Sequence, residues 1–235
     1  KVLVRGSVNN HAAYGLSFVI SAIDASFTLG EAERRRREIL ERLKADGVLE
    51  LNRTIEWPAV PWRIAVISAK GAAGYGDFMH QLSNNASHLR FHTHLFEAVL
   101  QGDRTAPTVI DALNRINSQL DSWDCVVIIR GGGATSDLAA FDNYELALNV
   151  AQFPIPVIVG IGHERDVTVL DYVANMRVKT PTAAAEWLIA RGNDALAHLR
   201  SLADDIARAA ADITAGADKR LAYAESLLAV APVTA

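Results

Sequence analysis

Between Arg63 and Gly162 the chain alternates four short apolar runs with stretches of helical periodicity, and few folds accept that rhythm. The runs are RIAVIS (63–68), LRFHTHLF (89–96), DCVVIIR (124–130) and PIPVIVGIG (154–162). Each is too short for a buried helix and rich in β-branched or aromatic residues, so each reads as a strand. Helical patterns fill the gaps: a stretch ending near Asn85, then TVIDALNRINSQL, then NYELALNVAQF. Such alternation builds a parallel sheet with right-handed crossovers, which places the chain in the α/β class. Half of the 235 residues are hydrophobic, enough to bury such a core in one or two domains.

The flanks follow other patterns. VLVRGSV (2–8) and YGLSFVIS (14–21) suit two antiparallel strands across an NNHAA turn, too few to be stable alone. TLGEAERRRREILERLKADG (28–47) suits an amphipathic helix stopped by Gly47. Its Arg34–Arg37 run reads as a solvated face balanced by Glu31, Glu33, Glu38 and Glu41, rather than as a DNA patch. Pro58 and Pro61 punctuate a linker. After TPTAAAEW the chain becomes Ala/Leu-rich helix, with an apolar stripe at Leu196, Leu199, Leu202, Ile206, Ile213 and Leu221. That segment suits a stalk or part of a coiled coil, weakened locally at Gly192 and Gly216.

Composition narrows the classes. A lone cysteine, Cys125, makes no internal disulfide, which fits a reducing, cytoplasmic setting. No run of about 18 apolar residues offers a membrane span. A formal charge of −4 argues against a globally basic nucleic-acid binder, although a local basic groove is compatible with it. The chain opens on Lys1 inside a strand-like alternation, and the expectation is a fragment of a longer protein.

In an open parallel sheet, ligands bind at the carboxyl ends of the strands. Three of the four strand ends run into polar or glycine-rich loops: 68–77, 130–137 and 162–166. Asp77, Arg130, Ser136, Asp137, His163, Glu164, Arg165 and Asp166 are thereby expected on one edge. RGGGATSD serves either as a tight turn or as a backbone cradle for phosphate, and three successive glycines favour the cradle. It matches neither a GxGxxG fingerprint nor a P-loop. Arg130 at its mouth suits a bidentate phosphate clamp. His163, with Asp166 three residues on, suits a general acid or base. Asp77 is either an early-helix carboxylate stabilised by the dipole or a catalytic group. His92 and His94 share one face of a strand; with His80 and His88 near in sequence they make a metal site conceivable, but no cysteine or patterned carboxylate accompanies them.

Together these loops resemble a specific family. PWRIAVISAKGAAGYGD, the LQGD turn, DCVVIIRGGGATSDLAAFDN, PVIVGIGHERDVTVLDYVA and TPTAAAE resemble, in order and spacing, the motifs of the exodeoxyribonuclease VII large subunit. The similarity runs from about Pro61 to Glu186. It implies a single-stranded-DNA nuclease that cuts from either end to short oligonucleotides with no cofactor or divalent metal. It also implies several small subunits as partners on a helical stem. The family's Asp, Arg, His and Asp fall on Asp77, Arg130, His163 and Asp166, while Lys70, Gly131, Gly132, Gly133, Ser136 and Arg165 are expected to contact phosphate or DNA. The first motif departs from the family's TSPTGAAIRD-like form: Gly76 stands where an Arg often precedes the Asp, with Lys70 as a partial replacement. The implied division is 1–26 as the end of an OB-fold DNA-binding domain, 27–60 as connecting helix and linker, 61–182 as the α/β nuclease domain and 183–235 as a truncated stem.

Two rival readings stand beside it. An NAD-kinase-like phosphotransferase also cradles phosphate after a strand, but usually with an acidic residue in the glycine run, where this chain has Ala134. A non-catalytic scaffold would use the terminal strands and helix alone.

Overall fold

The computed structural model describes residues 3–11, 15–131, 135–162 and 167–230. The chain divides into two compact units, residues 1–189 and 190–235. The first holds a five-stranded parallel sheet of β3 (Arg63–Ser68), β4 (His92–Glu97), β5 (Cys125–Ile129), β6 (Val157–Gly160) and β7 (Met176–Arg177). Their spatial order is β4-β3-β5-β6-β7. The four strands expected from sequence are present. The fifth, β7, has only two residues, too few to carry a periodicity.

Helices cover both faces. Helix α2 (Ala73–Ser83) and the first turns of α6 (Pro181–Val230) bury Phe78, Leu82, Ala184 and Leu188 against one face. The other face receives α3 (Thr105–Asn117), α4 (Tyr144–Ala151), the short α5 (Leu170–Val173) and α1 (Ala25–Ala45). Double coverage explains why the central runs are apolar without alternation: every residue of CVVII in β5 is buried. Edge strand β4 keeps the alternation instead, with His92 and His94 exposed.

Helix α1 ends where the sequence placed its stop. Gly47 takes φ +72°, a conformation a side chain would resist, and its amide reaches the Lys44 carbonyl. The reading of Arg34–Arg37 as wholly solvated fails at one position. Arg36 forks onto Asp142 at 3.1–3.4 Å, and Asp142 is only 2% exposed. Nearby, the Arg42 guanidinium lies 3.6 Å from the centre of the Tyr144 ring, whose hydroxyl donates to Asp46 at 2.6 Å. Leu43, fully buried, completes the seam. Helix spacing predicts which residues share a face, but not that a carboxylate 106 residues away will meet one of them.

The linker is likewise pinned. Buried Asn52 donates to the carbonyls of Phe153 and Ile155 and accepts from the amides of Val157 and Asn175. Asn175 returns the contact through the carbonyls of Asn52 and Ile55, and accepts the Trp57 indole N–H at 2.6 Å. Trp57 then packs on Trp187 with ring centres 4.5 Å apart.

Strands β1 (Leu3–His11) and β2 (Gly15–Asp24) form an antiparallel hairpin, paired from Leu3↔Asp24 to His11↔Gly15 with an irregularity at Arg5/Gly6. Val8, Leu16, Phe18, Val19 and Ile20 are each more than half exposed on it. Helix α6 runs 50 residues without a break, through both Gly192 and Gly216. Its residues beyond Ala190 expose Leu199, Leu202, Ile206, Ile213 and Leu221. Among the described residues, no helix is long and apolar enough to cross a membrane.

Candidate active site

Strand β3 leads into a helix on one face of the sheet, whereas β5 leads toward helices on the other. The connections leaving these neighbouring strands therefore diverge to opposite faces and leave a crevice at the carboxyl edge, the general location of ligands in open α/β sheets. Two cavities lie along it. The smaller, about 200 Å³, is lined by Asp77 and Gly74 of α2, Arg130 and Gly131 after β5, Gly160–Gly162 at the end of β6, and Lys179–Thr182 leading into α6. The larger, about 630 Å³, lies toward β4 and α3. Ala73, Arg130 and Gly131 line both.

The convergence depends on two missing side chains. A Cβ on Gly74 would fall 2.8 Å from the Arg130 carbonyl oxygen, the Gly131 Cα and a Pro181 ring carbon. One on Gly131 would fall 2.9 Å from the Gly74 amide nitrogen. The start of α2 and the end of β5 thus touch through bare backbone, with the Pro181 ring at the start of α6 packed on the same glycine. Gly131 is required by this packing, a reason that its place in a glycine run did not reveal.

Asp77 is the fifth residue of α2 and exposed. It lies past the first turn, where the helix dipole is felt most, so the dipole gives little account of it. Arg130, by contrast, is 6% exposed. A guanidinium stays charged at any physiological pH, and shielding it from water strengthens its pull on an anion. Lys70 lines the larger cavity, not the one holding Asp77, and pairs with Glu97 at 3.7 Å. Ser136 falls in a 3₁₀ turn, Thr135–Phe141. Gly132, Gly133, His163, Glu164, Arg165 and Asp166 lie outside the described residues.

What flanks that last group is clear. Thr168 gives its amide (2.6 Å) and hydroxyl (3.0 Å) to Asp171, and the Val169 amide goes to Asp142 at 2.8 Å. Burial raises the Asp171 carboxyl above its usual range, against the opposing bonds from Thr168 and the Arg177 guanidinium at 3.3 Å. Two carboxylates therefore fix the backbone immediately after 163–166. The sequence carried a signal for one of them, since Thr168-x-x-Asp171 is a capping-box spacing. Nothing local marked Asp142.

Lys179, Thr180 and Thr182 also escaped assignment. TPT is a helix start: Thr180 accepts the Ala183 amide at 3.1 Å and Pro181 takes the first helical position. The helix start itself was legible, but its place at this sheet edge depends on the two-residue β7 before it, which carries no sequence signal. Burial pushes the Cys125 thiol up, which leaves it unreactive. His94 packs edge-on to Phe96, centres 4.9 Å apart. Among the described residues no group of three or more His, Cys, Asp or Glu is placed to hold a metal.

A doubly wound sheet with a carboxylate, a buried guanidinium and close-packed glycines on its carboxyl edge defines an α/β protein suited to an anionic ligand. Comparison with known proteins makes the family specific. The family described as "Exonuclease VII, large subunit" matches residues 48–234, and the chain belongs to it. It is 36% identical to the exodeoxyribonuclease 7 large subunit of Deinococcus radiodurans over 226 residues, 95% of this chain and 54% of that protein. Proteins of the same name from Lactobacillus johnsonii and Koribacter versatilis are 33% and 31% identical, over 86% and 89% of this chain and 44% and 45% of theirs. The chain spans about half the length of the curated relatives it matches.

Proposed function

We propose that this chain carries the nuclease centre of an exodeoxyribonuclease VII large subunit, hydrolysing phosphodiester bonds of single-stranded DNA from either end, without a divalent metal, to short oligonucleotides. The supporting observation is that Asp77, Arg130 and Gly131, distant in sequence, line one cavity at the sheet's carboxyl edge. Arg130, with the amides of Gly131–Gly133, holds the scissile phosphate and offsets charge in the transition state, the part a cation otherwise plays. His163 activates water or protonates the leaving oxygen, Asp166 orients His163, and Asp77 shares the proton handling. Ser136, Lys70 and Arg165 contact the DNA beyond the reacting group. The hairpin serves as the end of an OB-fold DNA-binding domain (1–26), joined through 27–60 to the nuclease domain (61–182). The stem (183–235) binds small subunits along its apolar stripe. The setting is cytoplasmic.

The test is digestion of end-labelled single-stranded and duplex DNA in EDTA by the full-length large subunit with its small subunit. Single strands should be cut and duplex spared. Asp77→Ala and Arg130→Ala should each lower the rate by roughly 100-fold or more while the complex still assembles. Wild-type cleavage by Asp77→Ala, or loss of all cleavage in EDTA, would overturn the mechanism.

A further inference from the structure

The larger cavity holds neither Asp77 nor any other proton-handling group shown at the edge, yet it is lined by Lys70 and shares Arg130 and Gly131 with the smaller one. We infer that it is a nucleotide subsite, holding the sugar, base and outer phosphate of the residue next to the scissile phosphate; this rests on the nuclease reading above. A phosphodiester seated at Arg130 has a nucleotide on each side. About 200 Å³ leaves little room beyond the phosphate, whereas about 630 Å³ lies within the ~300–1,000 Å³ usual for small-molecule sites.

The lining suits that occupant. Lys70, Arg104 and Arg130 supply three cations against one carboxylate, Glu97, which Lys70 already engages. Val99, Leu100 and Ala98 provide an apolar wall, and Val99 is left 37% exposed. Among the described lining residues, none is aromatic and only Gln101 carries an amide that could read a base edge. The pocket would thus grip the backbone by charge and meet the base by apolar contact, with little on its lining to read base identity.

The wall is also set before a ligand arrives. The Thr108 hydroxyl accepts the Val99 amide at 3.0 Å and donates back to the Arg104 carbonyl at 2.8 Å. The Ala98 amide binds the Ser68 carbonyl at 3.0 Å, and Gly71 turns the facing rim at φ +74°. A preformed site loses less on binding than one that must order.

The experiment measures binding apart from cleavage. Full-length complex carrying Asp77→Asn, to block cutting, is titrated with fluorescein-labelled oligothymidylate and oligodeoxyadenylate over a range of salt. Adding Arg104→Ala should weaken both oligonucleotides about equally, by roughly tenfold, and lower the salt slope by about one. Arg104→Lys should restore most of the slope, and Val99→Trp, which fills the pocket, should weaken binding with the slope intact. Unchanged affinity and slope in Arg104→Ala and Val99→Trp, while the Asp77-intact complex cuts the same oligonucleotides, would overturn the subsite and leave the nuclease reading standing. No cutting by the intact complex would sink that reading and the subsite with it.

Discussion

The α/β body and the far part of helix α6 break the polar-out, apolar-in rule in opposite directions. In the body, Asn52, Arg130 and Asp142 are buried. Beyond Ala190, Leu199, Ile206 and Ile213 stand more than 60% exposed. Buried polar groups and exposed large apolar groups are the informative exceptions to burial statistics, and here they teach different things. Asn52 and Asp142 are held by partners from distant sequence, so they fix where elements sit. The exposed apolar stripe instead marks a face whose periodicity is complete while nothing in its own unit covers it.

The sharpest way to break this contrast is Asp142→Ala. It removes the partner of Arg36 and of the Val169 amide together, and should destabilise the body by about 3–5 kcal/mol. Urea unfolding that moved by less than about 1 kcal/mol would show that the α1 seam is only decorative. Asn52→Ala comes next. Stripping the carbonyls and amides that its side chain serves should remove about 2–3 kcal/mol, read in the same titration.

Gly76→Arg probes the family departure directly. A Cβ there meets open space, and glycine inside a helix is about 1 kcal/mol worse than a good helix former. The variant should therefore be more stable by about that amount and should bind single-stranded DNA with a salt slope steeper by about one. A drop in melting temperature would refute the first half, an unchanged slope the second. Smallest is the effect of Ile206→Ser with Ile213→Ser. Each should change unfolding free energy by no more than about 0.5 kcal/mol, because both side chains already meet water. A large loss in the isolated chain would mean that the stripe is covered after all.

Much of the fold was legible. Four strands, the helices between them, the Gly47 stop and the long terminal helix all follow from periodicity and punctuation, which are local properties. Two-residue β7 was not, because two residues have no period. Gly192 and Gly216 did not interrupt α6, since a single helical glycine lowers stability by about 1 kcal/mol without removing a hydrogen bond. The site was partly legible for a topological reason: residues at carboxyl ends of parallel strands must share an edge. That argument brings Asp77 and Arg130 together, but it has no resolution finer than the edge, so it could not separate Lys70 into the other cavity.

The sequence by itself determined the layer architecture, the edge on which polar groups gather, and the motifs that place the chain in its family. These are set by spacing along the chain, which tertiary context seldom overrules when hydrophobic runs are this regular. Only the tertiary structure decided that Arg36 leaves the solvated face for Asp142, that Asn52 and Asn175 lock the linker, and that Gly74 and Gly131 let α2, the end of β5 and the Pro181 ring of α6 meet without a side chain between them. Those facts depend on which distant residues come within about 3 Å of one another, a quantity that no local pattern encodes.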